Sequence, residues 1–249
     1  MNPAACGFVA LIFLLTMPGS RASDAVAHTI GEAYDLNSER HLYSETHCVT
    51  GDPQAREVIY RDTDDRLIAR KILNYRTGSA TPSYVQHNLY AGESIAVEVR
   101  QEDIDMTVRD RAGTPRTVTT RVDARLPLVI DAGFDAFVRS NWEELVAGQS
   151  KRFQFPFAAR ESLVELRISA ARCSYEHGTD QCFRLELDNW LLKMLVDPIE
   201  LGYDAGLKRL ARYRGLSNIG DGRGEGQVVD IRYGYEDLPA MACYPGLNG

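Results

Sequence analysis

Residues Arg56 to Tyr75 read REVIYRDTDDRLIARKILNY, two alternating runs around the polar turn Thr63-Asp64-Asp65-Arg66. Alternation with a period of two predicts β-strand, because successive strand side chains point to opposite faces. Asp tolerates the backbone angles of a tight turn. The stretch therefore reads as a β-hairpin, and the pattern repeats on both sides of it. Upstream, Thr29–Leu36 and His41–Cys48 flank Asn37-Ser38-Glu39-Arg40. Downstream, Tyr84–Tyr90 and Ser94–Gln101 flank Ala91-Gly92-Glu93, and Met106–Arg111 and Arg116–Val122 flank Ala112-Gly113-Thr114. Strand after strand joined by short polar turns is an antiparallel meander, not a series of βαβ units.

From Asp131 the period changes. Phe134, Phe137, Val138, Trp142, Leu145 and Val146 are spaced by threes and fours, which places them on one face of a helix. Asp131 is positioned to cap its start and Gly148 to end it. Strands then resume at Arg152–Phe157, Ser162–Ala171, Cys182–Leu187, Ile199–Tyr203, Leu207–Tyr213 and Val228–Tyr235. The run WLLKMLV, Trp190–Val196, is apolar on nearly every side and fits either a short buried helix or a central strand. A flat sheet of about fourteen strands would curl or split. The expected fold is therefore mainly β: a large curved antiparallel sheet, or half-barrel, packed on one main helix. A two-sheet β-sandwich is the alternative.

The N-terminus carries an address. Phe8–Met17, FVALIFLLTM, is an apolar run broken by Pro18-Gly19-Ser20, with Ser20-Arg21-Ala22 after it. This is the layout of a secretory signal peptide over residues 1–22, cleaved after Ala22. The run is short of the about 20 apolar residues a bilayer span requires. The expected mature chain is a single β-rich domain, residues 23–249, in the periplasm or secreted. The formal charge of −7 becomes −8 once Arg21 leaves, which argues against a nucleic-acid partner.

Export also changes the reading of the cysteines. Cys6 leaves with the leader, and Cys48, Cys173, Cys182 and Cys243 remain in a compartment that permits disulfides. Four cysteines allow three pairings, and four free buried thiols remain an alternative. Cys173 and Cys182 flank the polar segment SYEHGTDQ, where a bridge would clamp the mouth of a hairpin; Cys48 and Cys243 would then join the first strands to the C-terminal tail. The spacing of Cys173, His177 and Cys182 is not a usual zinc pattern. Asp62, Asp64 and Asp65 do not match a calcium loop. No metal or cofactor is expected.

His41, Tyr43, Glu45 and His47 share one face of a strand. A carboxylate between imidazoles is capable of acid–base work, so Glu45 and His47 are the candidate catalytic residues of a hydrolase. The plainer reading is a polar outer strand face. Gly215-Leu216-Ser217-Asn218-Ile219 begins like a nucleophile elbow but has Ile where the second Gly belongs. The glycines of GDGRGEG, Gly220–Gly226, do not match a phosphate-binding fingerprint either. A larger signal is apolar. Phe134, Phe137, Val138, Trp142, Phe153, Phe155 and Trp190 gather in one part of the chain, and a curved sheet closed by a helix can leave a cavity for a lipid or acyl chain.

The segment PIELGYDAGLKRLARYRGLSNI, Pro198–Ile219, resembles the C-terminal hairpin of a family of uncharacterised exported proteobacterial proteins, and Gly31-Glu32-Ala33-Tyr34 through Tyr43 resembles their first hairpin. The strand–helix–strand order also resembles, in architecture alone, periplasmic lipoprotein carriers of the LolA/LolB type. That resemblance implies a curved antiparallel sheet closed by helices over an apolar cavity. The functional expectation is a non-enzymatic periplasmic binding or carrier module for a hydrophobic or lipid-like ligand. The alternatives are an envelope module that binds other envelope proteins, and a hydrolase built on Glu45 and His47.

Overall fold

In the computed structural model, described over residues 25–175, 180–188, 197–221 and 226–239, fourteen strands form one antiparallel sheet. The first arm is β1 (Ala25–Asp35), β2 (His41–Val49), β3 (Ala55–Asp62), β4 (Leu67–Asn74), β5 (Ser83–Asn88), β6 (Glu93–Arg100), β7 (Asp103–Arg109) and β8 (Pro115–Arg121). Two helices follow, α1 (Gly133–Ser140) and α2 (Trp142–Val146). The second arm is β9 (Lys151–Phe157), β10 (Ser162–Ala171), β11 (Asp180–Leu187), β12 (Ile199–Asp204), β13 (Arg209–Gly220) and β14 (Gly226–Pro239). A single 3-10 turn, Ala158–Arg160, sits between β9 and β10. The mainly β, single curved sheet expected from the alternation is the observed fold, and the two-sheet sandwich is not.

The spatial order is β8-β7-β6-β5-β4-β3-β2-β1-β14-β13-β12-β11-β10-β9. Each arm is a meander, and β1 and β14 join the arms at the centre, in register from Ala25↔Pro239 to Asp35↔Val229. The two sheet edges, β8 and β9, are neighbours in sequence. Twist curls the arms toward each other. Side chains, not a ladder between β8 and β9, then bring the arms together. Val97, Ile104 and Met106 of β6 and β7 share a buried cluster with Ile130 and Ala158. Arg116 of β8 pairs with Glu161 at 2.7 Å. The edge of β9 is covered by the segment before the helices, where Val129 N donates to Gln154 O and Gln154 N to Pro127 O.

The helical segment departs from expectation at both its start and its middle. One helix was expected over this stretch; two form, divided at Asn141. The Asn141 side-chain amide joins its own backbone N–H on Phe137 O, at 2.8 and 3.2 Å, so that one carbonyl is shared at the division. Asp131 does not cap. Ala132 occupies that position without a side-chain hydrogen bond. Asp131 instead lies at φ +45° and gives both carboxylate oxygens to Lys71 of β4. Gly148 does follow the end of α2, at φ +89°, a conformation that favours glycine.

The helices rest on the concave face of the second arm. Phe137, Val138, Trp142 and Leu145 are buried with Phe153, Ile168, Phe183, Leu201 and Tyr203. Phe137 meets Phe153 with ring centroids 4.9 Å apart, and Trp142 meets Phe183 edge-on at 5.3 Å. The concave face of the first arm forms a second cluster around Ala33, Tyr43, Val58, Tyr60 and Leu73. Cys173 and Cys182 are bridged, with Cα atoms 5.2 Å apart, across the β10–β11 hairpin. Cys48 is also disulfide-bonded. Its expected partner Cys243, the leader 1–22 with its cleavage site, His177, and Trp190 with the rest of WLLKMLV lie outside the described residues. No helix among the described residues is long and apolar enough to cross a membrane.

Candidate functional site

The site grows from the central strand. Thr29, Gly31 and Ala33 are the inward positions of β1, and all three are small. Across the ladders, Gly31 is flanked by Glu45 of β2 and Tyr233 of β14, and Glu45 in turn by Tyr60 of β3. A Cβ at position 31 would lie 2.8 Å from each of Glu45 Cγ, Ile231 Cγ2 and Tyr233 Cε1. The missing side chain is therefore what lets Glu45 and Tyr233 lean over β1 and meet. The Tyr233 hydroxyl donates to Glu45 Oε1 at 2.8 Å, and His47 Nε2 lies 3.0 Å from the same oxygen.

This places the expected polar strand face inside the molecule. Tyr43 and Glu45 are buried, Glu45 with 4% of its surface exposed, where a polar outer face was the plainer reading. His41 departs from the group. A bulge at Ala33/Tyr34 shifts the register, and His41 meets Glu32 at 2.7 Å and the Tyr34 ring. Glu45 and His47 remain together, and Tyr233 joins them from the far end of the chain.

Four tyrosines surround the carboxylate. Burial pushes the Tyr43, Tyr60, Tyr213 and Tyr233 phenols up from their ordinary value, and the Glu45 charge pushes each further. All four stay neutral as a result. Tyr43 shares a 2.6 Å hydrogen bond with Ser217, and the Tyr213 hydroxyl donates to Leu216 O at 2.6 Å. Ser217 thus lies inside strand β13 beside a tyrosine, and no nucleophile elbow forms there.

Lys71, with 3% of its side chain exposed, faces the same interior. Its ammonium stands 2.8 and 2.9 Å from the two Asp131 oxygens and 5.4 Å from the centre of the Tyr84 ring. Next to it in the ladder, Gln86 donates to Asn88 Oδ1 and to Asn218 O. Asp135 of α1 approaches from the helical side. Burial raises its carboxyl above the ordinary range, against the opposing pull of Arg139, which is 2.8 Å away. Tyr203, Arg139 and His47 are the groups that act on it.

The apolar candidates divide by position. Phe137, Val138, Trp142 and Phe153 are buried in the cluster beneath the helices, and Phe134 and Phe155 pack at its margin. The acidic turn at Asp62 is structural: Asp62 accepts from Tyr90, Arg66 and the backbone of Asp64, and its pKa is held down at about 2, chiefly by the Tyr90 hydroxyl. Among the described residues, no three His, Cys, Asp or Glu side chains group as a metal site. Sequence reading missed Tyr233, Gly31, Lys71 and Asp131 as parts of one site. The small residues at alternate positions of β1 were the available signal.

No family model matches the chain, and no curated protein matches it. A solved structure described as a beta-barrel-like protein of domain of unknown function DUF1849 from Brucella abortus resembles it with a TM-score of 0.43 at 6% identity, over 86% of this chain and 97% of that one.

Proposed function

We propose that the protein is a non-enzymatic binding or carrier module of the bacterial envelope, holding a hydrophobic or lipid-like ligand against the concave face of its sheet. The observation that carries this reading is the division of the interior. One half is aromatic and apolar beneath α1 and α2, and the other holds Glu45, His47, Lys71 and four tyrosines around the small inward residues of β1. Sites for amphiphiles combine an apolar wall with a few convergent polar groups.

The hydrolase alternative has the Glu45–His47 pair in its favour. It lacks a nucleophile aligned with that pair among the described residues, since the Ser217 hydroxyl bonds to Tyr43 and to the Ile219 N–H. Binding is the better-supported reading. The test is purification from a native envelope, organic extraction and mass spectrometry. A recurrent amphiphile in stoichiometric amount is the expected result, and its repeated absence would overturn the proposal.

A further inference from the structure

We infer that the C-terminal segment, residues 240–249, forms a strap across the convex face of β2 and β3, fixed there by a Cys48–Cys243 disulfide. The strap concerns the outer side of the sheet and stands apart from the carrier reading. Three observations support it.

The first is a covered patch beside an open one. Tyr43, Val58 and Tyr60 belong to the concave cluster, so Cys48 of β2 and Glu57 and Ile59 of β3 face outward. Cys48, Glu57, Ile72 and Val85 are successive partners in one row across β2, β3, β4 and β5. Their exposures are 1%, 2%, 42% and 37%. The row thus changes from buried to open between β3 and β4. Cys48 and Ile59 form a buried cluster with no third member among the described residues. Strand neighbours alone leave Ile72 and Val85 open, so a further layer lies over Cys48 and Ile59.

The second is the cysteine pairing. Cys48 is disulfide-bonded, while Cys173 is bridged to Cys182. The sequence holds two further cysteines, Cys6 in the expected leader and Cys243 in the tail. The bond forms by exchange with an external disulfide, which takes up two electrons and two protons and leaves as two thiols.

The third is reach. β14 ends at Pro239, opposite Ala25 of β1, and Thr29 of β1 stands between Tyr235 and His47. Cys48 therefore lies two strands across from β14 and three residues back from its end, about 14 Å from Pro239. Residues 240–243 extend about 13 Å, and a disulfide adds about 5 Å between Cα atoms. Residues 244–249 remain to cover Ile59. The whole segment, AMACYPGLNG, has no charged side chain, which suits a patch made of Cys48 and Ile59.

The β1–β14 ladder is the junction between the two arms of the sheet. A bond from β2 to the segment after β14 passes over β1 and clamps that junction from outside.

The first test is tryptic mapping of the unreduced, alkylated full chain. The peptide 41–56 is expected to be linked to the peptide 233–249. A link from Cys48 to Cys6, or an alkylated Cys48, would overturn the strap. The second test is Cys243→Ser, which detaches a segment too short to stay docked unaided. N-ethylmaleimide is expected to label Cys48 in this variant within about tenfold of its rate in urea, since reactivity follows exposure. The thermal midpoint is expected to fall by about 10 °C or more, because the bond closes a loop of most of the chain. A folded variant in which Cys48 stays protected would show that another layer covers the patch, and an unchanged midpoint would overturn the clamp. Should Cys243→Ser fail to fold, the map of the unaltered chain decides alone.

Discussion

Lys71 on β4 and Asp131 at the entry to α1 form a buried ion pair that ties the helical segment to the concave face of the sheet. The pair also accounts for the backbone of Asp131. A φ of +45° is uncommon outside glycine, and two contacts from one ammonium hold the residue there.

Asp131→Asn tests this pair directly, because Asn tolerates the left-handed conformation and so removes the charge without changing the backbone preference. The Lys71 ammonium would be left buried without its anion, a loss of about 3–5 kcal/mol. Urea denaturation is expected to show that loss, and the double variant Lys71→Met/Asp131→Asn to recover much of it. A single variant as stable as the parent would show that the pair does not anchor the helices.

Gly133→Ala sets two effects of opposite sign against each other. Helix propensity alone favours alanine by about 1 kcal/mol. The new Cβ, however, would lie 2.2 Å from Ala80 O and 2.5 Å from Ala80 C, both backbone atoms. Overpacking of this kind costs about 1–3 kcal/mol or more, so net destabilisation is expected. Gly51→Ala, where a Cβ meets nothing within 4 Å, is the control. Thermal melts that rank Gly133→Ala at or above Gly51→Ala would contradict the packing described here.

The buried tyrosines predict alkaline unfolding. Burial raises the Tyr75 phenol to about 12, and those of Tyr43, Tyr60, Tyr84, Tyr213 and Tyr233 are raised as well. The folded state therefore holds these protons more tightly than the unfolded chain, whose phenols titrate near 10. Their contribution is complete below pH 10 and is lost as pH rises from there toward 12 and beyond. Phenolate absorbance and far-ultraviolet circular dichroism should change together in one cooperative step. A gradual rise in phenolate at constant ellipticity would mean the rings are open to solvent.

Removing the Cys173–Cys182 bridge should cost about 2–3 kcal/mol, the loop-closure entropy of so short a ring. The bridge also steadies a strap on the outer surface. Ser174 bonds Glu200 at 2.9 Å, and Tyr175 stacks 4.0 Å beneath the Arg212 guanidinium. Cys173→Ala/Cys182→Ala is expected to lower the urea midpoint by the corresponding amount and to increase hydrogen exchange along β12. Unchanged exchange there would confine the role of the bridge to its own hairpin.

Much of the architecture was legible because it is local. The alternation in REVIYRD and LIARKILNY and the Asp-rich turn between them specify a hairpin without reference to the rest of the chain. The cysteines flanking the β10–β11 turn were legible as a candidate bridge, and the hairpin register, Ala171 opposite Cys182, is what brings them within bridging distance. The candidate site was legible only in part. Glu45 and His47 are two residues apart and had to share a face, but Tyr233 stands 188 positions from Glu45 and carries no local mark of the contact.

The chain's own pattern determined that strands pair in sequence, where they turn, and which side chains share a face. Tertiary structure alone decided which face is the inside. A period of two is symmetric between the two sides of a strand, and only the curvature of the whole sheet, set by the β1–β14 pairing and the closure around α1 and α2, turns Tyr43 and Glu45 inward. The same long-range pairing lays Gly31 between Glu45 and Tyr233, where the absence of a side chain brings a buried acid and a phenol together.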